Sequence, residues 1–318
     1  MSEKPAFIEA LSLPVIAAPM FLISGPELVI EACKAGVIGA FPTLNARPVE
    51  VLEQWFQRIK KELAAAELEN PGKVAPWAAN LIVHRSNKRY GPDLELILKY
   101  QPDIVITSLG SPEKVASAVR EYGGLVFADV NSVEFARKAA ARGADGLILI
   151  CEGAGGHTGF MSIAEFIPAV KAFFDGPVIV GGAISTGADI RLATDLGADF
   201  AYMGTRFIAT DECQASAEYK QMVVDADADD IVLTPYFTGI PAHFLLPSIV
   251  QAGIDPEDLE HTKGEIRFDE EESHKTAWKD IWSAGKGVAT IHEIKPVAKL
   301  VDDLRRDYGE QQPVGAKP

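Results

Sequence analysis

The stretch GADGLILI at residues 143–150 decides the fold, because it joins the end of one helix directly to a buried strand. Gly143 suits a left-handed helix stop, and the run after it is continuously apolar, as in parallel strands covered on both faces. The same arrangement returns as GADFAYMG at 197–204. Two copies of one unit predict a fold in which helices alternate with parallel strands.

Eight apolar runs of about five residues each extend this alternation along the chain, and an amphipathic stretch follows each run. Eight strand-helix units in about 220 residues favour a (β/α)8 TIM barrel. A doubly wound open sheet is the alternative, but no Gly-x-Gly-x-x-Gly pattern follows the first run. The predicted strands are Val15–Pro19, Val37–Phe41, Trp77–Val83, Ile104–Leu109, Leu125–Val130, Gly146–Ile150, Pro177–Gly181 and Phe200–Gly204.

Helix signals occupy the segments between these runs. Apolar residues at three-four spacing over 49–63 predict one buried stripe, and Ser162 with Glu165 forms a plausible capping box. A closing helix is predicted over 296–308, with its inward side formed by Val297, Leu300, Val301 and Leu304.

The regular pattern loosens after Phe207, which sets the predicted domain organisation. We assign residues 1–210 and 291–318 to the barrel with its closing helix. Residues 211–290 are richer in charge and turn formers, and we interpret them as a lid or substrate region inserted after strand eight.

Composition limits the classes of partner. The 318 residues include 30 Lys and Arg against 45 Asp and Glu, for a net charge of −15, which argues against general binding to nucleic acid or anionic membranes. No signal peptide and no apolar run of about 20 residues is evident, and three scattered cysteines suit a reducing compartment. We expect a cytoplasmic monomer or homodimer, with its acidic excess away from the mouth, in 225–230 and 269–273.

Glycines end predicted strands seven and eight, in Gly181-Gly182-Ala183 and in Gly204-Thr205. Such residues let backbone N–H groups approach an anion, and a helix starting near Thr186-Gly187 could turn its positive end to the same anion. Tight turn geometry is the alternative. Because barrels often bind phosphate at this place, the two adjacent loops together predict a phosphate site.

The loop after predicted strand six is Glu152-Gly153-Ala154-Gly155-Gly156-His157-Thr158-Gly159. Its small residues would let a flat ligand lie against the backbone and would leave the imidazole of His157 projecting into the mouth. Because histidine takes or gives a proton near neutral pH, His157 is the candidate proton-transfer residue.

Other candidates have weaker patterns. His84 follows strand three and could meet a substrate or play a structural part, while Tyr236 and Phe237 could line the mouth, form an interface or pack in the core. His261 and His274 match no metal-ligand spacing, so no metal site is predicted. The acidic run at 225–230 lacks the Gly and terminal Glu of a calcium loop.

Four motifs together resemble the nitronate monooxygenases, formerly called 2-nitropropane dioxygenases, which are FMN-binding (β/α)8 barrels. The motifs occur in order over residues 13–300. They are Ala18-Pro19-Met20, the glycine-histidine loop at 152–159, Met203-Gly204-Thr205-Arg206-Phe207 and Ile281-Trp282-Ser283-Ala284-Gly285.

The resemblance implies roles for individual residues. His157 corresponds to the family's catalytic base, and Asn80 would lie near the flavin or substrate. Asp129 stands where some relatives place Lys or Gln near the flavin pyrimidine, and Ala183 stands where a second glycine is common. The implied FMN-binding residues are Pro19, Met20, Phe21, Asn80, Asp129, Gly155, Gly156, Gly181, Gly182, Ala183, Gly204 and Thr205.

The leading functional hypothesis is therefore FMN-dependent oxidation of alkyl nitronates, or of nitroalkanes, by O2 to carbonyl compounds and nitrite. The alternative is an NAD(P)H-dependent FMN reductase of a quinone or an enoyl thioester on the same barrel. A flavin-free phosphate-binding isomerase or lyase, and a flavin-binding protein without activity, are less favoured.

Overall fold

A computed structural model describes residues 11–260 and 279–310 and contains a closed barrel of eight parallel strands. The eight predicted strands form this barrel in chain order, and the first strand closes it by pairing with the last. The TIM-barrel prediction is confirmed. The barrel strands are β1 (Val15–Ala17), β2 (Ile38–Pro42), β3 (Trp77–Ile82), β4 (Ile104–Ser108), β5 (Leu125–Val130), β6 (Gly146–Ile150), β8 (Val178–Gly181) and β9 (Phe200–Met203). A separate sheet is formed by β7 (Gly156–His157), β10 (Ile231–Thr234) and β11 (Ala242–Leu245).

Helices follow the barrel strands as the periodicity predicts. Ser162 and Glu165 form the predicted capping box at the start of α6, and the four predicted inward residues of the closing helix are buried. The helices are α1 (Pro26–Lys34), α2 (Val49–Glu69), α3 (Tyr90–Tyr100), α4 (Glu113–Arg120), α5 (Val133–Ala141), α6 (Ile163–Lys171), α7 (Gly187–Asp195), α8 (Thr205–Ile208), α9 (Ala217–Asp225), α10 (Leu246–Gln251) and α11 (Val297–Glu310).

Side chains that point into the barrel form one apolar cluster of its own. Successive residues of a strand face opposite sides, so the inward set on β5 and β9 includes Phe127 and Phe200, and the next inward positions are Asp129 and Tyr202. The interior is therefore packed with apolar side chains through its middle and becomes polar at the carboxyl end. The cluster contains Ile16, Ile38, Ala40, Ala78, Ile104, Ile106, Phe127, Ile148, Ile179 and Phe200.

The small antiparallel sheet connects the segment after β9 to the loop after β6. Its strands lie in the order β10-β11-β7, with Ala242 opposite His157 and His243 opposite Gly156. Asp225, Asp227 and Asp229 of the acidic run are exposed. The run at 269–273, His261 and His274 lie outside the described residues.

Within 11–260 and 279–310, none of the helices combines the length and apolarity needed to cross a membrane. In the same residues, no group of three or more His, Cys, Asp or Glu side chains is placed to hold a metal ion.

Candidate active site

His157 lies in the two-residue strand β7, in the loop that leaves the carboxyl end of β6. Pairing with β11 holds its backbone, and the amide of the preceding Gly156 donates to Ser283 Oγ at 2.7 Å. Ser283 Oγ in turn donates to the carbonyl of His243 at 2.5 Å. The backbone at His157 is thus held from both neighbouring segments.

The glycines of the His157 loop let two backbones approach each other. A Cβ on Gly155 would lie 2.8 Å from the amide nitrogen of Gly285, and a Cβ on Gly285 would lie 2.6 Å from the carbonyl oxygen of Gly153. The Lys286 amide also donates to the carbonyl of Gly153 at 2.9 Å. The segment 283–287 therefore packs directly against the loop at Gly153 and Gly155. Gly155 has no side chain and so permits this close contact, a structural role that its sequence context did not reveal.

Burial sets the ionisation of both histidines in this region. It lowers the pKa of His157 below the usual value for histidine, because the protein interior disfavours the imidazolium. It also lowers the pKa of His243, although Nδ1 of His243 lies 2.7 Å from the carbonyl oxygen of Ala154. At neutral pH His157 is the uncharged imidazole, the form that can accept a proton.

The loop after β1 contains Pro19, Met20 and Phe21, and Asn45 fixes it from the turn after β2. Asn45 Oδ1 accepts from the Leu22 amide at 2.8 Å, and Asn45 Nδ2 donates to the carbonyls of Met20 and Ser24 at 2.9 and 2.8 Å. Ser24 Oγ accepts from the Met20 amide at 2.9 Å. These bonds hold Leu22 at φ 66°, a left-handed conformation that is costly for leucine.

The turns after β8 and β9 are adjacent because these strands pair in parallel. A Cβ placed on Gly204 would have no heavy atom closer than 3.7 Å, so packing does not require a glycine there. The Thr205 hydroxyl accepts from the Gly285 amide at 2.8 Å, which leaves its hydrogen available to a ligand. Ala183 has φ 54°, a conformation that favours glycine.

Helix α7 starts at Gly187, as predicted, but internal carboxylates already occupy its first turn. Asp189 accepts from the amides of Ser185 and Thr186 at 2.9 Å, and the Ala188 amide donates to Asp307 at 3.1 Å. These bonds do not support the expectation that this helix end faces an anion. The amides of the two turns themselves are the better candidates.

A chain of three polar side chains crosses β3, β4 and β5 at the carboxyl end of the barrel. Asn80 Nδ2 donates to Ser108 Oγ at 2.7 Å, and Ser108 Oγ donates to Asp129 Oδ2 at 2.5 Å. Burial raises the pKa of Asp129 to about 7, although the Ser108 hydrogen bond opposes the rise. We call Asn80, Ser108, Asp129 and the neighbouring Tyr202 the polar floor of the mouth.

The remaining sequence candidates are His84, Tyr236 and Phe237. His84 sits in the turn after β3, with Nδ1 2.8 Å from Ser86 Oγ. Phe237 is 5% exposed and packs edge-on against Phe244 in an apolar cluster of the inserted region, while Tyr236 is half-buried against Phe237. Phe237 thus has a packing role in the structure.

Sequence reasoning did not identify Asn45, Ser283 or Tyr202 as site residues. Tyr202 follows Phe200 by two residues in β9, so the alternation of inward positions along this strand could have predicted that Tyr202 points into the barrel. Asn45 and Ser283 act through contacts with segments 23 and 127 residues away in sequence. No local pattern marks Asn45, and the motif at 281–285 contains Ser283 without indicating its contact with the His157 loop.

Comparison with known proteins identifies the family. The family model for nitronate monooxygenase matches residues 4–307, nearly the whole chain. The chain belongs to the nitronate monooxygenase family. It is thus a flavin-dependent oxidoreductase that acts on small molecules.

The chain is also similar to individual relatives and to a solved structure. A nitronate monooxygenase of Paraburkholderia phytofirmans is 24% identical over 96% of this chain and 95% of that protein. A 5-hydroxy-7a-methyl-1-oxo-octahydro-1H-indene-4-carboxyl-CoA dehydrogenase of Mycobacterium tuberculosis is 26% identical over 75% of this chain, which spans 64% of the dehydrogenase's length. The structure of nitroalkane oxidase from Streptomyces ansochromogenes shares the fold, with a TM-score of 0.82, 22% identity and coverage of 96% and 99% of the two chains.

The residues at the mouth fit the flavin of this family. A Cβ on Gly204 would make only van der Waals contact with Met20, at 3.7 Å, and Thr205 has a hydroxyl hydrogen to donate. Asp129 Oδ1 is buried and has no hydrogen-bond partner among the described residues. A glycine turn whose backbone amides can approach a ligand suits a phosphate, and a buried polar atom without a protein partner suits a polar ring edge.

Proposed function

We propose that this family member is an FMN-dependent nitronate monooxygenase, which oxidises alkyl nitronates with O2 to carbonyl compounds and nitrite, with His157 as the catalytic base. The placement of His157 supports this proposal most directly. His157 is half-buried, with Nε2 inaccessible to solvent, at the carboxyl end of the barrel, where TIM-barrel enzymes carry their catalytic residues. There the imidazole is neutral, and its backbone is held from both sides.

FMN binding would use the residues around the mouth. The backbone amides of Gly182, Ala183, Gly204 and Thr205 and the Thr205 hydroxyl would hold the phosphate. Met20 and Phe21 would lie along the ring. Asn45 and Ser24 hold the loop that contains them through hydrogen bonds to Met20. Asn80 and Asp129 would meet the ring or the substrate from the polar floor.

His157 would remove the α-proton of a neutral nitroalkane, or orient a nitronate that arrives already ionised. A neutral imidazole costs little to keep buried, and it becomes an imidazolium next to the nitronate anion that the same step creates. The hydrogen bonds from Gly156 through Ser283 to His243 keep the base in place during this change of charge. When bound, FMN supplies the electron acceptor for oxidation of the nitronate.

We also propose that the segment 211–290 serves as a lid. Its strand β11 pairs directly with β7, and its Ser283 binds the amide beside His157. A movement of this segment would therefore carry the catalytic loop with it.

The similarity to the CoA dehydrogenase supports a second candidate function. On this reading the protein is an NAD(P)H-dependent FMN reductase of an enoyl thioester or a quinone. Anaerobic mixing of the flavin-loaded protein with NADH or NADPH separates the two candidates, because only the reductase would bleach the flavin absorbance rapidly.

Nitrite release from short-chain nitronates in air tests the leading proposal. His157→Asn should abolish turnover of nitroalkanes while the flavin absorbance of the purified protein is retained. His292→Asn, at an exposed histidine, is the matched control and should behave as the wild type. A folded, FMN-loaded protein that turns over no short-chain nitronate would refute the proposal.

A further inference from the structure

The hydrogen-bond chain of the polar floor has one direction. Asn80 Nδ2 donates to the carbonyl of Ile106 at 3.1 Å, and a carbonyl can only accept, which fixes the orientation of the Asn80 amide. The second hydrogen of Nδ2 goes to Ser108 Oγ at 2.7 Å. Ser108 Oγ accepts this hydrogen and donates its own to Asp129 Oδ2, 2.5 Å away.

This direction decides where Asp129 carries a proton. Oδ2 is occupied as an acceptor, so the proton of the neutral acid belongs on Oδ1. Oδ1 is buried and has no hydrogen-bond partner among the described residues. Asp129 occupies the last inward position of β5, so its side chain points to the top of the barrel interior.

The groups that face Asp129 do little to stabilise its ionised form. On β3 and β4 it has the uncharged Asn80 and Ser108, and on β6 its register neighbour is Ile148. On β9 the titratable neighbour is Tyr202, whose pKa is raised well above the usual value by burial and by the charge of Asp129. No cation among the described groups lowers the pKa of Asp129, which burial raises to about 7.

We propose that Asp129 binds the flavin as a neutral carboxylic acid that donates a hydrogen bond from Oδ1, and that Ser108 sets the pH at which this donor is lost. A buried carboxyl that stays protonated so that it can donate is an established device in enzyme sites. This inference rests on the proposed FMN site, but it does not depend on the nitronate reaction.

The pH dependence of FMN affinity tests this role, with the dissociation constant measured by flavin fluorescence. If only the protonated form binds well, a pKa near 7 predicts that the constant rises about tenfold between pH 6 and pH 8. Asp129→Asn provides an amide that accepts from Ser108 and donates at the position of Oδ1. Its dissociation constant should therefore match the wild type at pH 6, and the ratio of the wild-type constant to that of the variant should rise about tenfold by pH 8.

Ser108→Ala moves the profile in a direction that a purely structural role would not produce. The Ser108 hydrogen bond stabilises the carboxylate, so its loss raises the pKa of Asp129 and shifts the fall in affinity to higher pH. Far-ultraviolet circular dichroism confirms that each variant is folded. If Asp129→Asn does not fold, the shift in Ser108→Ala still tests the assignment.

The FMN phosphate titrates in the same range, but it does so equally in the Asp129→Asn protein, which serves as the control. The same tenfold rise in Asp129→Asn, no rise in the wild type, or a shift to lower pH in Ser108→Ala would overturn the inference. Failure of the wild type to bind FMN at any pH would instead overturn the proposed cofactor site.

Discussion

Asn45 makes three of the hydrogen bonds that hold the loop that would lie along the flavin, and Asn45→Ala is expected to loosen this loop. The substitution removes three hydrogen bonds, from the Leu22 amide and to the carbonyls of Met20 and Ser24. Each contributes about 0.5–1.5 kcal/mol net, so the loss amounts to about 1.5–4.5 kcal/mol. The left-handed Leu22 then loses the side-chain acceptor of its amide, and fewer bonds offset the cost of its conformation.

This loss should appear in two measurements. If the loop becomes mobile in the variant, FMN must order it on binding, and an energy of about 1.5 kcal/mol or more weakens FMN affinity about tenfold or more. Urea unfolding of the FMN-loaded protein should show a lower free energy of unfolding. Both can be followed by flavin fluorescence on one preparation.

Two further variants make the test quantitative. Ser24→Ala removes only the bond from the Met20 amide and should cost about 0.5–1.5 kcal/mol, less than Asn45→Ala. Asn45→Asp keeps an acceptor for Leu22 but sets a carboxylate oxygen against two carbonyl oxygens, so it should be at least as damaging as alanine. An Asn45→Ala protein within about 0.5 kcal/mol and twofold of the wild type would refute the argument, since three bonds cannot be that weak.

Three other predictions concern ionisation and packing. Because burial lowers the pKa of His157, the base stays neutral to lower pH than an ordinary histidine. Nitroalkane turnover should therefore fall only in acid, below about pH 6.5, and a fall centred above that value would contradict the assignment. Burial raises the pKa of Asp129 from 3.8 to about 7, so the folded protein holds this proton more tightly than the unfolded chain. The contribution of Asp129 to stability is thus present below pH 4 and lost as the pH rises to 7. In urea unfolding, the free energy of unfolding of the wild type should therefore fall relative to that of Asp129→Asn over this pH range. Gly285→Ala places a Cβ 2.6 Å from the Gly153 carbonyl oxygen and should lower the free energy of unfolding by about 1–3 kcal/mol. The Cβ of Gly204→Ala meets no heavy atom closer than 3.7 Å, so this variant should keep its stability but bind FMN weakly. Equal losses of stability in the two variants would contradict this prediction.

The barrel could be predicted from sequence because its signals are local. Each strand is a short apolar run, and each helix has its own cap or stripe, such as Ser162 with Glu165 on α6. The sheet of β7, β10 and β11 could not be predicted in this way. β7 has two residues and no periodicity, and its partner Ala242 lies far along the chain.

The site could be predicted only in part from the sequence, for a related reason. His157 and the glycine turns are distinctive in composition, so their positions could be identified without contacts. The start of α7 was also readable, but the Asp307 that binds its first turn lies 119 residues away from Ala188. Asp129 and Tyr202 are the next-to-last residues of strands that are otherwise apolar, and only their inward direction shows that they form a floor.

One physical cause accounts for how a chain of net charge −15 can offer a site to anions. Burial disfavours any charge, so it raises the pKa of Asp129 and of Tyr202 and lowers that of His157. The changes in Asp129 and His157 move the site toward neutrality at pH 7, and Tyr202 is uncharged there. A flavin phosphate and a nitronate would therefore meet neutral donors there, such as the Thr205 hydroxyl and the backbone amides of the two turns. A lysine in place of Asp129 would supply attraction by charge, but a neutral acid supplies a donor without placing an unpaired cation against the apolar interior below it.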